Sequence, residues 1–371
     1  MIIARAPFRI TLGGGGTDLP SFYQENKGFI FALAIDKYVN VLLNPTVVDR
    51  RIRLQYLQSE LVEHVSQLRH PLAREALKLH GIEAAVEITS VADLPAQAGV
   101  GSSGSYLVAM LTALHAYQRN PFGPALLAEE ACHIEIDILK EPVGKQDQYM
   151  AAYGGLRTIE IDRNGSVTTA SVNLPASSLY DLVGNMHVYY TGVQRSASAI
   201  LEAQNVAARE EGHKNHTAVI DCLLEIKQLG YRILDSVRAE NFDEFGALLH
   251  AHWQQKKRMS GGISLGTVDA LYDTVRREYG VLGGKIIGAG GGGFLMLYCP
   301  RRHSGLTEFM ALQGMRRLHY AVEYQGAKIV ADLRASHEVN INHKVESCEH
   351  SLPAAPASLV ATQSPACSAS P

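Results

Sequence analysis

A glycine- and serine-rich turn between a predicted strand and a predicted helix constrains this chain more than any other segment. The turn runs Leu94-Pro-Ala-Gln-Ala-Gly-Val-Gly-Ser-Ser-Gly-Ser-Tyr106. Residues 84–91 have the β-branched density of a strand, and residues 106–116 have helical length and helix formers. Glycines in such a turn let backbone N–H groups approach an anion, and the helix N-terminus adds its positive dipole end. The turn predicts a phosphate-binding loop, with a flexible serine-capped loop as the alternative.

Two other phosphate-binding motifs do not fit the chain. The segment Val143-Gly-Lys-Gln146 lacks both the first glycine and the hydroxyl residue of a P-loop. The Gly-x-Gly-x-x-Gly spacing of a dinucleotide fingerprint is present from Gly99 to Gly104, but Glu129 and Glu130 lie further on than that fingerprint requires. We therefore do not expect NAD(P) binding.

With 371 residues the chain can form two domains or one large one. Because 46% of the residues are hydrophobic, it can bury a substantial core. Lys and Arg total 34 against 37 Asp and Glu, a formal net charge of −3 that argues against nucleic-acid binding. No apolar run reaches membrane-spanning length, and Met1–Arg5 lacks the layout of a signal peptide. We expect a cytoplasmic protein without a membrane partner, as a monomer or a homodimer.

Cysteines and histidines indicate no metal centre. The 5 cysteines are far apart and form no Cys-x-x-Cys pair, which suits reduced thiols. The histidines at 213, 216, 250 and 252 fall on charged helical stretches without a ligand pattern, so we interpret them as surface residues.

The order of predicted elements indicates two α+β domains. Strands are predicted at residues 6–12, 35–43 and 295–299, a helix capped by Thr17 at 17–25, and a mainly helical region at 196–279. We place the domains at 1–175 and 176–345. Residues 346–371 lack apolar periodicity and are predicted to be a disordered tail.

Charged side chains outside the turn are the candidate reactive groups. Arg9 in a strand and Asp18 beyond a glycine turn can bind substrate hydroxyls or anionic groups, with a structural arginine and a capping turn as the alternative. Glu135 and Asp147 are separated by a helix end and a turn, so one can hold Mg²⁺ while the other orients a hydroxyl. Solvated surface charges are the alternative for this pair.

A second glycine-rich segment follows Lys285. It reads Gly288-Ala-Gly-Gly-Gly-Gly293, and so many glycines are costly in backbone entropy. Close approach to a ligand or to another backbone segment explains it best. Arg195, at a predicted strand-to-helix junction, is a further substrate-binding candidate, with a surface position as the alternative.

Three segments, in order, resemble the motifs of the GHMP small-molecule kinases. Residues 6–18, with Ala-Pro-Phe-Arg-Ile-Thr-Leu-Gly-Gly-Gly-Gly-Thr-Asp, look like the first motif. Residues 94–103 resemble the second motif and residues 285–294 the third. The resemblance spans about residues 3 to 340 and implies an α+β fold of two domains. The first would resemble ribosomal protein S5, and the second would be a ferredoxin-like α/β sandwich.

Finer details are similar to the D-glycero-D-manno-heptose 7-phosphate kinases of that family. They include Gly-Lys-Gln-Asp-Gln-Tyr149, Tyr-Thr-Gly192 and the Lys256-Lys257 pair. This resemblance implies ATP- and Mg²⁺-dependent phosphorylation of the anomeric hydroxyl of the heptose 7-phosphate to the 1,7-bisphosphate, for nucleotide-activated heptose and surface polysaccharide synthesis. L-fucokinase shares much of the pattern, so a kinase of a free sugar such as L-fucose is an alternative. A non-catalytic regulator that binds sugar and ATP is another.

The resemblance also implies the site residues. Asp147 matches the family's catalytic aspartate, and Arg9 matches the arginine near the reacting hydroxyl. Ser103 and Glu135 match the Mg²⁺ ligands. Nucleotide contacts are implied at Pro95, Gly99, Gly101, Ser102, Ser103, Gly104 and Ser105. Substrate contacts are implied at Asp18, Gly16, Thr17, Lys145, Arg195, Gly290 and Gly291. Arg195, Lys256, Lys257 and Arg258 are candidates for the acceptor's own phosphate.

Overall fold

The computed structural model describes residues 1–193, 197–209, 216–259, 263 and 266–334, with the backbone alone for 197–200. Residues 1–331 form one compact unit, and 332–334 are the described part of a second unit, 332–371. The predicted tail and Arg195 lie outside the described residues. The domain boundary at 175/176 stays a prediction.

The described strands alternate with helices along the chain. The strands are β1 (Ile2–Gly13), β2 (Gly28–Pro45), β3 (Ile52–Gln55), β4 (Ser59–Val62), β5 (Val86–Ala92), β6 (Leu156–Ile161), β7 (Val167–Ser171), β8 (Met186–Tyr190), β9 (Gly283–Ile286), β10 (Phe294–Tyr298), β11 (Arg316–Leu318) and β12 (Lys328–Asp332). The helices are α1 (Pro20–Asn26), α2 (Pro71–Leu79), α3 (Ser102–Gln118), α4 (Pro124–Cys132), α5 (Gln146–Tyr153), α6 (Ala176–Asn185), α7 (Ala197–Arg209), α8 (His216–Arg238), α9 (Phe242–Met259), α10 (Gly266–Glu278) and α11 (His303–Leu312).

The described strands form two sheets, the first mixed and the second antiparallel. In the first, the order is β12-β1-β2-β5-β3-β4, and β6 pairs with both β2 and β7. In the second, the order is β11-β8-β10-β9. The strands predicted at 6–12, 35–43 and 295–299 are therefore confirmed as parts of β1, β2 and β10, and the described part of 196–279 is helical as predicted.

The long β1–β2 ribbon is the centre of the first sheet. It pairs antiparallel from Ile2 opposite Leu43 to Gly13 opposite Phe31, with register shifts after Pro7 and after Thr11. Helices α3 and α5 pack on β1, as does α8. This cover explains why β1 is buried almost throughout instead of alternating between buried and exposed residues.

The structure corrects the predicted start of the first helix. Helix α1 begins at Pro20, and its N-cap residue is Leu19 rather than Thr17. The buried Thr17 hydroxyl instead bonds to the carbonyls of Gly14 and Phe29, each at 2.8 Å. Thr17 thus ties the glycine turn after β1 to the start of β2, which leaves its side chain unable to cap the helix.

Other observations bear on expected partners. Cys132, Cys222 and Cys299 are buried free thiols, as predicted for the described cysteines. Among the helices in the described ranges, none has the length and apolar sequence required to cross a membrane.

Candidate active site

A cavity of about 700 Å³ collects residues from distant parts of the chain. Its wall includes β1, the glycine turn after it, the glycine- and serine-rich loop and the start of α3. The start of α5, one face of α9 and the loop after β9 also contribute to it, as do residues of β5 and α7. The three motifs therefore meet at one site, although they are separated by long stretches of sequence.

Arg9 and Asp147 form the ion pair at the centre of this wall. The Arg9 guanidinium donates through Nε to Asp147 Oδ1 at 2.7 Å, and its second terminal nitrogen lies 2.6 Å from the same oxygen. A further N–H of Arg9 donates to the carbonyl of Gly99 at 2.7 Å. Arg9 is 4% exposed and the Asp147 side chain 24%, so a buried arginine presents a partly open carboxylate to the cavity.

Asp18 is a buried carboxylate beside that pair. It accepts hydrogen bonds from the backbone N–H of Gln146 at 3.1 Å and of Gly16 at 3.2 Å. Burial, followed by the neighbouring charge of Asp147, raises the pKa of Asp18. A Cβ on Gly144 would lie 2.0 Å from Asp18 Oδ2, so only glycine at this position allows the carboxylate to sit against the start of α5.

Glu135 and Ser103 lie together, as expected for a shared metal. Glu135 sits on a π-helical turn, His133–Ile138, which continues α4 and aims the carboxylate inward. It accepts hydrogen bonds from the Ser103 hydroxyl and from the Gln148 amide. Burial raises the pKa of Glu135 to about 7 despite these two donors.

The glycine- and serine-rich loop approaches Asp147 closely. Gly101 has φ +86° at the start of α3, and its Cβ would lie 3.1 Å from the Asp147 carboxyl carbon. A Cβ on Gly104 would lie 2.8 Å from Asp147 Cβ. The Ser102 hydroxyl is buried in the cavity wall and has no hydrogen-bond partner among the described residues. The loop therefore places an unpaired hydroxyl and free helix N–H groups at the cavity.

The backbone of the second glycine-rich segment packs directly against the backbone of this loop. A Cβ on Gly288 would lie 2.4 Å from the carbonyl oxygen of Gly99, and a Cβ on Gly293 would lie 2.2 Å from that of Ala98. Backbone packs directly on backbone here, which is the close approach predicted for these glycines.

Three basic side chains, those of His252, Lys256 and Lys285, line the same cavity. The sequence alone did not group them at one site. Lys256 donates to the carbonyl of Gly288, and Lys285 donates to that of Leu12 at 2.9 Å. His252 is 1% exposed, and among the described residues neither of its ring nitrogens has a hydrogen-bond partner. Its interpretation as a surface residue is therefore wrong: α9 packs against β9 and turns that face inward. No local signal in the sequence indicated this burial, because it depends on packing against β9, which follows later in the chain.

Burial dominates the electrostatics of these bases. It lowers the pKa of Lys256 to about 8, with a further contribution from Arg9. It also lowers the pKa of Lys285 and of His252 well below their usual ranges. In the described part of the chain neither lysine forms an ion pair with a carboxylate. The wall therefore holds basic groups whose charged forms an anionic ligand would stabilise.

Family comparisons agree with this geometry. The family described as GHMP kinases N terminal domain matches residues 64–155, and GHMP kinases C terminal matches residues 233–305. The first match contains the loop, Glu135 and Asp147, and the second contains Lys256, Lys285 and the second glycine-rich segment. The chain belongs to the GHMP kinases. It is therefore an enzyme of the phosphoryl-transferring class, and the α+β fold that the resemblance implies is confirmed.

Individual relatives of this GHMP kinase are distant in sequence. It is 22% identical over 311 residues to D-glycero-alpha-D-manno-heptose 7-phosphate kinase of Campylobacter jejuni, covering 80% of this chain and 89% of that protein. It is 25% identical to L-fucokinase/L-fucose-1-P guanylyltransferase of Bacteroides fragilis, covering 80% of this chain and 34% of that longer protein.

A solved structure supports the fold. The crystal structure of a D-glycero-D-manno-heptose 1-phosphate kinase from Bacteroides thetaiotaomicron superposes with a TM-score of 0.73 at 21% identity, covering 90% of this chain and 99% of that one. At this identity the likeness concerns the fold alone.

Not every predicted site residue of this GHMP kinase lines the cavity. Pro95 and Gly16 line it, together with the central residues described above. The Ser105 hydroxyl donates to the carbonyl of Pro7 at 2.8 Å, which ties α3 to β1. Lys145 donates to the carbonyl of Gly165 at 2.7 Å and pairs with Glu129. None of Thr17, Gly104, Ser105 and Lys145 contributes to the cavity lining.

Two further predicted positions act through backbone packing. Gly291 donates its N–H to the carbonyl of Ile263 at 2.8 Å, and a Cβ on Gly290 would lie 2.9 Å from that oxygen. Of the basic candidates for an acceptor phosphate, Lys257 pairs with Asp269 and Arg258 donates to Gln255, whereas Lys256 faces the cavity.

Proposed function

We propose that this GHMP kinase transfers the γ-phosphoryl group of ATP to the anomeric hydroxyl of D-glycero-D-manno-heptose 7-phosphate. The observation that carries the proposal is the Arg9–Asp147 pair, held between the glycine- and serine-rich loop and buried Asp18. Phosphoryl transfer needs positioning and charge stabilisation more than covalent chemistry, and this arrangement supplies both. A cytoplasmic location is part of the proposal, since the enzyme draws on ATP.

Asp147 is the proposed acceptor of the sugar hydroxyl's proton. Arg9 binds only its Oδ1, so Oδ2 is the oxygen that can bond to the substrate. The guanidinium keeps Asp147 oriented and supplies positive charge beside the group being transferred. Asp18, held by the backbone of Gly16 and Gln146, would accept from a second sugar hydroxyl.

The residues of the loop fit ATP and Mg²⁺. The buried Ser102 hydroxyl has no hydrogen-bond partner in the described part of the chain, and the Glu135 carboxylate accepts hydrogen bonds from the uncharged Ser103 and Gln148 side chains. Glu135 and Ser103 would hold Mg²⁺, since a carboxylate and a hydroxyl are oxygen ligands that this ion prefers. When bound, Mg²⁺ would neutralise charge on the nucleotide phosphates.

The two buried lysines of the cavity wall, Lys256 and Lys285, support an acceptor that already carries a phosphate. A free sugar would leave Lys256 and Lys285 buried with only backbone carbonyls as partners, which is costly for charged groups. A phosphate dianion would pair with them and restore their charged forms. This wall favours the heptose phosphate over a free sugar such as L-fucose. A regulator without turnover is less well supported, because Ser103, Glu135 and Asp147 all meet at the cavity.

Substrate competition tests the proposal directly. With ATP and Mg²⁺, the purified chain is expected to phosphorylate heptose 7-phosphate with a kcat/KM about 100-fold above that for the unphosphorylated heptose or L-fucose, as charge-assisted pairing with two lysines implies. Coupled measurement of ADP release gives the ratio. Lys256→Met is expected to reduce the preference, mainly through KM. Equal or better turnover of a free sugar would contradict the choice of substrate, and no turnover of any sugar would contradict the kinase assignment for this chain.

The pH dependence follows from the lowered pKa of Lys256. Since that pKa is about 8, the ammonium loses its proton as the pH rises through 8, whereas a sugar phosphate stays dianionic over this range. The KM for heptose 7-phosphate is therefore expected to rise between pH 7 and about 9, with a smaller change in the KM for ATP. Initial-rate measurements across this range check it. Lys256→Met should flatten the profile; an unchanged profile in that variant would exclude Lys256 as its cause.

A further inference from the structure

We infer from the structure a transition-metal site where α2, α3 and α4 meet, with Zn²⁺ as the best-fitting ion. The ligands are His80 Nε2, His115 Nε2 and a carboxylate oxygen of Glu130. These atoms lie within 4.8 Å of one another. None of the three residues lines the active-site cavity, so the inference does not depend on the proposed function.

His80 is held with one ring nitrogen facing the other two ligands. The amide nitrogen of Gln118 donates to the His80 backbone carbonyl at 2.6 Å, which fixes the orientation of that amide. Its oxygen therefore faces His80 Nδ1, at 2.8 Å, and accepts the ring proton. His80 Nε2 is left with a lone pair, and it has no hydrogen-bond partner in the described part of the chain.

His115 and Glu130 complete the set. His115 Nε2 lies 2.8 Å from Glu130 Oε2, and His80 Nε2 lies 3.9 Å from the same oxygen. Metal–ligand bonds of about 2.0–2.1 Å at tetrahedral angles require ligand atoms about 3.3 Å apart. The two observed separations lie on either side of that value. The two histidine nitrogens lie within 4.8 Å of each other, so side-chain rotations that draw them together would close the site around an ion.

The two histidine ligands are shielded from solvent. The His80 and His115 side chains are 5% and 7% exposed. The Glu130 side chain is 21% exposed, which leaves an open side for a water as fourth ligand. Two imidazoles, one carboxylate and a water form a common zinc coordination set.

The Gln118 contact is the kind of outer support that metal-bound histidines have. A ligating imidazole normally donates its other N–H to a carbonyl or carboxylate, which sets the tautomer. Gln118 supplies such a carbonyl from the last turn of α3, the helix that also carries His115. Without a metal, the His80 lone pair is a buried acceptor with no donor, which is an unfavourable arrangement.

The test is zinc binding by the untagged full chain in excess Mg²⁺. Equilibrium dialysis with metal analysis is expected to find one Zn²⁺ per chain, and Zn²⁺ should raise the melting temperature. His80→Gln and Glu130→Gln should each weaken binding by more than about 100-fold, and Gln118→Met by about 10- to 100-fold. Glu130→Gln keeps an acceptor for His115, so it preserves the metal-free packing.

His319→Gln is the matched control, because His319 is an exposed histidine away from this cluster. It should bind zinc as the unmodified chain does. Absorption of bound Co²⁺ gives a second readout, since its intensity reports tetrahedral coordination and should disappear in the ligand variants. No uptake at micromolar free zinc, or uptake that persists in both His80→Gln and Glu130→Gln, would overturn the site and leave a His115–Glu130 hydrogen bond in its place.

Discussion

Replacement of Asp147 by Asn is expected to lower kcat by about 10³-fold, within the range that general-base removal costs. The amide retains the size of the carboxylate and an oxygen for Arg9, but it cannot accept the proton of the sugar hydroxyl. The KM for ATP should change little, because Gly101 and Gly104 would still fit against the side chain. Single-turnover rates and nucleotide titrations separate these two quantities.

The control for this variant is Asp162→Asn. Asp162 forms an exposed pair with Lys27 at 3.2 Å and contributes nothing to the cavity, so its loss should leave kcat unchanged. Circular dichroism would verify that both variants fold. An Asp147→Asn enzyme that kept a rate within tenfold of the unmodified enzyme would exclude Asp147 as the proton acceptor.

Among substitutions of uncharged residues, Gly288→Ala is expected to have the largest effect on stability and nucleotide affinity. Gly288 has φ +79°, and an added Cβ would lie 2.4 Å from the carbonyl oxygen and 2.6 Å from the Cα of Gly99. The backbone cannot yield as a flexible side chain would, and a left-handed alanine adds strain. We expect a loss of about 2 kcal/mol or more in unfolding free energy. Nucleotide affinity should fall at least about tenfold as the loop is displaced.

The matched substitution is Gly184→Ala at the end of α6. Apart from the backbone of α6 itself, no atom of the described residues lies within 4 Å of a Cβ built there, so alanine should be tolerated and slightly favourable in the helix. Thermal melts and calorimetric titration with a non-hydrolysable ATP analogue compare the two. If Gly288→Ala melted and bound nucleotide like Gly184→Ala, the close packing of the two glycine segments would not support the loop.

Local sequence signals predicted the elements that carry the site. The β-branched segment before residue 94 and the helix formers after 106 predicted β5 and α3, because strand and helix periodicity are local properties. The glycines between them predicted a close backbone approach, which follows from the absence of a Cβ. The three motifs, in order, identified the family and, through it, Arg9, Asp18, Glu135 and Asp147 as candidate site residues, all of which line the cavity.

Side-chain partners were less predictable than elements. Nothing local indicated that Ser105 would donate to Pro7, that Lys145 would bond to Gly165, or that His252 would be buried. Each depends on a segment brought from elsewhere in the chain. A hydroxyl or an ammonium bonds to whatever acceptor packing places beside it, and spacing along the sequence does not specify that acceptor.

The sequence by itself determined the glycine- and serine-rich loop, the family and the residue types of the candidate site, because backbone freedom and charge belong to individual residues. Only the tertiary structure decided which of these groups meet. It paired Arg9 with Asp147 and turned Lys256 and Lys285 into the same cavity. It also brought His80, at the end of α2, together with His115 of α3 and Glu130 of α4. The physical reason is that burial and long-range packing set the neighbours of a charged group, and those neighbours set its protonation and its ligands.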